Sequence, residues 1–312
     1  MDKFTIARFN ELFPDEDACL AYIKDIIYPD GITCRKCGGL KHSKMSQRKA
    51  YACQDCGTHV YPLAGTIFEK SSTPLKSWLY AMYLMASTRT GISAKQLERE
   101  LGVTYKTAWR MFSQIRKLLA QDSEPLFGQI EIDESYFGGD SKNRHANKRD
   151  GKRGRGATGK TVVVGLIERK GKALVTVAPN VQAKTLLPII QEHIPTDPQT
   201  IIYTDELHSY NKLASLGYAH ETVQHAAKQY VNGLAHVNNM ESMWSNTKRG
   251  IDGVNHAVSP KHLQSYLDAY VFRFNHRKDS EAMYETMVDQ TAKVRAGKHG
   301  SYSPLKKNGS SR

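Results

Sequence analysis

A chain of 312 residues with 44 Lys and Arg against 31 Asp and Glu carries a formal charge of +13 before any of its 12 histidines protonates. Its 40% apolar content supports at least one full-sized core and argues against disorder. No run approaches the roughly 18 apolar residues of a membrane span, and acids stand among the first twenty residues where a secretory signal is apolar, so neither membrane insertion nor export is expected. The basic surplus favours nucleic acid as partner, because neutralising phosphates releases counterions; a solubility charge is the plainer alternative.

Residues 4 to 28 predict one or two short helices, broken at Pro14 and ended by Pro29. Cys19 falls in an amphipathic run and reads as a small buried apolar residue. The other four cysteines form two matched pairs, Cys34/Cys37 and Cys53/Cys56, each with two intervening residues, and fifteen residues lie between the pairs. An odd total of five argues against a disulfide framework and for a reducing compartment. Two C-x-x-C turns aim four thiolates at one centre, which predicts one structural Zn²⁺ in a ribbon. Gly38, Gly39 and Gly57 follow the pairs, where the knuckles need positive φ. His42 and His59 are nearby substitutes should a cysteine prove free. Lys and Arg between the pairs suit phosphate contacts.

Lys76 to Ser87 predicts a strongly apolar helix. Beyond it, apolar positions follow helical spacing on either side of Leu101-Gly102-Val103, the pattern of a helix-turn-helix. Thr104 is placed to cap the second helix, and Thr104, Lys106, Thr107 and Arg110 lie at its N-terminal end, where groove contacts are made. A packed helical pair with solvated charges fits the same pattern.

From about Leu126, β-branched runs alternate with helical ones: three strands in succession, then strands and helices in turn, an α/β mixed sheet. The stretch 207–216 reads as helical. Positions 141–160 hold eight Lys or Arg, one acid and four glycines. That basic loop cannot bury a core and is expected to order on DNA, through Arg144, Lys148, Arg149, Lys152, Arg153 and Arg155. GATGKT within it is not a P-loop, since Lys160-Thr161 enters a strand. The last residues predict a basic, disordered tail.

Three acidic positions stand at element edges. Ile130 and Ile132 face one side of their strand, so Glu131 and Asp133 share the other, with Glu134 beside the isoleucines or at the strand end. Asp205 directly follows an apolar strand, at the carboxyl end where α/β sheets place ligands; helix capping is its other use. Read as a helix, Asn238, Glu241, Ser245 and Lys248 line one face, and Met240, Met243, Trp244 and Thr247 the other.

The series IEIDESYFGG, YTDELHSY and HVNNMESMWSNTKRG...FNHR resembles the catalytic domain of zinc-ribbon insertion-sequence transposases of the DDE type, over about residues 20 to 278. The resemblance implies a ribonuclease H-like mixed sheet with flanking helices, preceded by a zinc ribbon and a helix-turn-helix. The expected division is 1–70 for N-terminal helices and ribbon, 71–122 for the helix-turn-helix, 123–280 for the catalytic domain and 281–312 for a C-terminal helix and tail. It also implies Asp133, Asp205 and Glu241 as catalytic carboxylates, the last two 36 positions apart, with Lys248 seven residues further on. Glu131 and Glu134 compete with Asp133, and Asn238 or Asn239 with Glu241. In this reading two Mg²⁺ ions, replaceable by Mn²⁺, are held by the three acids, Lys248 contacts a phosphate, and water or a DNA 3′ hydroxyl is the nucleophile. The implied partners are double-stranded DNA, both terminal inverted repeats and target, with a dimer or larger assembly forming on DNA in the bacterial cytoplasm, at the nucleoid. A DNA-binding regulator, or a nuclease without strand transfer, are the alternatives.

Overall fold

The computed structural model describes residues 4–88, 90–121, 124–138, 159–223, 238–278, 280–296 and 302–304. Most of the predicted basic loop, with Arg144, Lys148, Arg149, Lys152, Arg153 and Arg155, lies outside the described residues, as does the tail from 305. The chain divides into two compact units, 1–119 with 278–312, and 120–277. No described helix is long and apolar enough to cross a membrane.

The first unit begins with α1 (Ile6–Leu12) and α2 (Glu16–Ile27), capped by the side chains of Thr5 and Asp15. A three-stranded antiparallel sheet follows, β1 (His42–Lys44), β2 (Tyr51–Cys53) and β3 (His59–Val60). Helix α3 (Leu75–Ser87) buries seven of its residues, Trp78 and Met82 among them, and is the central rod of the unit. Pro74 gives its first turn no side-chain cap; Glu16 of α2 does so instead, accepting from the N–H groups of Leu75 and Lys76 at 2.9 Å each. The same carboxylate pairs with Lys49 of the β1–β2 turn at 3.0 Å, so one acid ties the small sheet to two helices.

Helix α4 (Ala94–Leu101) is capped by Ser93 and closes at Gly102, whose φ of 61° is the left-handed C-cap conformation. Thr104 then caps α5 (Tyr105–Leu118) through the Thr107 N–H, giving a helix pair with a tight turn. Helix α9 (Ser280–Lys293) returns to this unit and packs on α2 and α3, where Tyr284 stacks on Phe4 at 4.3 Å between ring centres. The last strands, β9 (Val294–Ala296) and β10 (Tyr302–Pro304), form an antiparallel pair.

The second unit is a mixed five-stranded sheet of the ribonuclease H-like kind. Strand β4 (Gln129–Phe137) is central, antiparallel to β5 (Thr161–Glu168), which is antiparallel to β6 (Ala173–Ala178). On its other side β4 runs parallel to β7 (Ile201–Thr204), and β7 parallel to β8 (Ala219–Thr222). Period-two alternation divides β5 between two cores: Val162, Val164 and Leu166 pack beneath α6 (Ala183–His193), while Val163 and Ile167 pack beneath α7 (Asn238–Gly250) and α8 (Pro260–Asn275). Residues 207–216, read as helical, instead form two short 3₁₀ turns, His208–Tyr210 and Ala214–Leu216. Leu207, Tyr210 and Leu213 all meet the same core, and spacing of three is the 3₁₀ period, not the α period.

Candidate active site

Strand pairing sets the site. Strand β7 pairs with β4 only over Gln129–Glu131 and ends at Thr204, so among the described residues the far half of β4 has no paired neighbour on that side. Asp205 emerges there, at the carboxyl ends of two parallel strands. Asp133 faces the α7 layer and Glu134 the α6 layer, yet both reach the free edge. One carboxylate oxygen from each of Asp133, Glu134 and Asp205 lies within 4.8 Å of the others.

Each acid is held separately. Asp133 accepts the indole N–H of Trp244 at 2.9 Å. Glu134 accepts the hydroxyl of the fully buried Tyr210. Asp205 accepts the Leu207 N–H at 3.0 Å through its own side chain, an Asx turn that leads away from the strand. Burial pushes Glu134 up to about 8, helped by the charges of Asp205 and Asp133. It pushes Asp133 up to about 6, opposed by the Trp244 N–H and reinforced by Asp205 and, more weakly, Glu241. Asp133 and Glu134, gathered and half-desolvated, resist full ionisation, and a hard divalent cation would remove that resistance. The donor set therefore fits Mg²⁺ or Mn²⁺.

Glu131 has a different place. It is fully buried, pairs with Arg169 at 2.9 Å, and accepts from the α7 N-terminus: the Asn239 N–H at 2.9 Å, the Asn239 side-chain amide at 2.8 Å and the Met240 N–H at 3.3 Å. Both of its oxygens are engaged, and the Asn239 amide with them. Helix α7 is thus anchored on the acid-bearing strand. Its exposed face carries Asn238, Glu241, Ser245 and Lys248, and its buried face Met240, Met243, Trp244 and Thr247. Glu241 is outside the close trio but near enough for its charge to act on Asp133. Lys248 lies over the Phe137 ring at 5.6 Å, and burial, then the charge of Lys160, lowers its pKa.

The four cysteine sulfurs form the other metal-binding group among the described residues. Cys34 and Cys56 are 3.6 Å apart at sulfur, as are Cys37 and Cys53. A tetrahedral zinc with bonds of about 2.3 Å separates its sulfurs by roughly 3.8 Å, so the set fits structural Zn²⁺. The two knuckles repeat one geometry: the Gly38 N–H bonds the Cys34 carbonyl and the Gly57 N–H the Cys53 carbonyl, both at 2.9 Å, with φ of 75° and 71°. Gly39, expected at positive φ, is not there; a Cβ on it would stand 2.1 Å from an Asp55 carboxylate oxygen and 3.2 Å from the Cys53 sulfur, so close approach is its reason. Cys56 is drawn down to about 6, chiefly by the Thr58 hydroxyl and N–H. Neither His42 nor His59 joins the group.

Two family models match this architecture: an ISXO2-like transposase domain over residues 125–275 and a transposase zinc-ribbon domain over residues 14–59. A transposase-like protein of Haemophilus influenzae is 33% identical over 106 residues, which cover 34% of this chain and 83% of that protein. The chain belongs to the IS1595 family of DDE transposases. A protein of Halobacterium salinarum, described as lying in the transposable element ISH50, is 26% identical over 289 residues, 89% of this chain and 97% of its own length.

Beyond the family motifs, four residues around the acids are not singled out as site residues by the sequence: Tyr210, Lys160, Trp244 and Gly165. Trp244 was legible only as a buried helix position, and nothing in the linear order of residues pairs Gly165 with it. A Cβ on Gly165 would stand 2.2 Å from the Met240 methyl and 2.7 Å from the Trp244 ring, and Gly165 is the direct cross-strand partner of Asp133.

Proposed function

We propose that the chain binds the terminal inverted repeats of an insertion sequence, cleaves DNA at their ends and joins the freed 3′ hydroxyls to target DNA. The observation that carries this reading is the convergence of Asp133, Glu134 and Asp205 at the open edge of a mixed sheet, in a chain of a transposase family. Asp133 and Asp205 would hold the divalent cations, with Glu134 adding a carboxylate and Glu241 reaching in from α7 as the third acid of the family pattern. Two such ions supply charge neutralisation at both the attacking and the leaving oxygen of an in-line displacement. Lys248 and Lys160, which repel each other, would share a backbone phosphate beside the acids. No side-chain nucleophile is called for.

The zinc ribbon and the α4–α5 pair would hold the inverted repeats. Thr104, Lys106, Thr107 and Arg110 lie on the first turns of α5, and the exposed rings of Tyr105 and Trp109 add apolar contact beside them. Arg144, Lys148, Arg149, Lys152, Arg153 and Arg155 would add phosphate contacts. Two ends must be joined together, which calls for a dimer or larger assembly on the DNA, working in the cytoplasm at the nucleoid. Purified protein incubated with Mg²⁺, a terminal-repeat duplex and a target plasmid gives joined products in this reading. Nicked but unjoined DNA would indicate a nuclease, and a bound, uncut duplex a regulator. Asp133→Asn and Asp205→Asn each abolish joining while leaving duplex binding intact.

A further inference from the structure

The indole of Trp244 is buried, and its one polar atom points at a carboxylate of the candidate metal site. A tryptophan N–H can only donate, so the bond commits one lone pair of Asp133 Oδ2 and fixes the rotation of the carboxylate about its Cβ–Cγ bond. Three contacts hold the ring in place. Glu131 grips the first turn of α7, one residue pair upstream on the strand from Asp133. Phe137 meets the Trp244 ring edge-on, with centres 6.0 Å apart. Gly165, opposite Asp133 on β5, leaves the space the ring occupies: a Cβ there would come within 2.7 Å and 2.9 Å of it.

We infer that Trp244, seated on Gly165, is a positioning residue for the cation site, holding Asp133 in one orientation through its Oδ2. This rests on the reading of Asp133 and Asp205 as cation ligands. Its effect belongs to cation affinity first and to joining only as a consequence, because the indole touches neither cation nor DNA. Lost outer-shell partners of metal ligands cost about 10–100-fold in affinity.

The test is Mn²⁺ titration of the full-length, zinc-loaded chain, followed by the electron paramagnetic resonance of free Mn²⁺. Trp244→Phe keeps an apolar ring and deletes the donor; Gly165→Ala keeps the donor and displaces the ring. Both are expected to raise the Mn²⁺ dissociation constant by about tenfold or more, with zinc content unchanged. Folded variants that bind within twofold of the parent would overturn the assignment. Where either variant does not fold, the unmutated chain labelled with ¹⁵N-indole tryptophan decides. The Trp244 N–H resonance, distinguished with Trp78→Phe and Trp109→Phe, should move on Mg²⁺ addition, and a stationary signal refutes the role. Asp133→Asn separates the two levels. If it binds Mn²⁺ as the parent does, the carboxylate reading itself is lost; if it does not while Trp244→Phe does, only the positioning role is lost.

Discussion

Among the described residues, two groups of side chains fit a metal, and they are built in opposite ways. The ribbon gathers four soft ligands from one short stretch, and its knuckles are closed by backbone bonds a few residues long. The sheet gathers hard ligands from strands that meet only when the domain is folded, and it raises the proton affinity of Asp133 and Glu134. In the ribbon the metal substitutes for a core that so few residues cannot supply. In the sheet the core exists without any cation, and the strain of gathered charge is what a cation relieves. On the function proposed above, one site would serve folding and the other chemistry.

The sharpest way to break this contrast is to remove the metals separately. Cys37→Ser, or a strong chelator under denaturant, is expected to release one zinc per chain and unfold the ribbon, since structural zinc contributes on the order of 10 kcal/mol. Mild chelation at pH 7 should strip only the sheet site and leave circular dichroism unchanged. A ribbon that stays folded without zinc would erase the distinction. Next in size is the sheet chemistry: Asp205→Asn should lower joining by more than the roughly 100-fold ceiling of outer-shell changes, with unfolding temperature maintained or raised. Products formed at parental rate would remove Asp205 from the site.

Glu131→Gln addresses the anchor between the two kinds of acid. It leaves Arg169 without its buried counter-charge and weakens the grip on α7, a loss of about 3–5 kcal/mol by denaturant titration. Stability within 1 kcal/mol of the parent, roughly, would contradict the buried pairing.

The smallest effect is a pH dependence. Glu134 and Asp133 bind protons more tightly folded, near 8 and 6, than their ordinary 4.5 and 3.8. Their contribution is therefore fully present below about pH 4 and is lost as pH rises toward 8. Without divalent cations the melting temperature of the second unit should drift down between pH 5 and 8, roughly the span of these shifts. Millimolar Mg²⁺ should restore it and release protons on binding. A shallower profile in Glu134→Gln, keeping only the Asp133 part of the slope, assigns the effect; an unchanged slope would exclude Glu134.

The difference between the two sites also explains what the sequence could say. A C-x-x-C repeat carries its geometry in its spacing, so the clustering of all four cysteines was legible, with only Gly39 misjudged. The caps of α4 and α5 were equally local, and Thr104 does what its position suggests. Glu131, Asp133 and Glu134 could not be told apart along the chain, because their fates depend on partners brought by other elements: Asn239 and Arg169 for the first, Trp244 for the second, Tyr210 for the third. Strand alternation gave the faces of the sheet but not where β7 would stop. That ending decides which acids meet, and it is a property of pairing. The return of α9 to the first unit is likewise non-local: the expected division gave a C-terminal helix and no destination for it.

The carboxylate of Glu16 links ribbon occupancy to helix order. Its oxygens reach the amides that start α3 and the ammonium of Lys49, which hangs from the β1–β2 turn. When the ribbon loosens, Lys49 leaves, and the central rod of the first unit loses part of the charge arrangement that orients its capping acid. Loosening the ribbon would thus be felt at the opening turn of α3, outside the ring of cysteines itself.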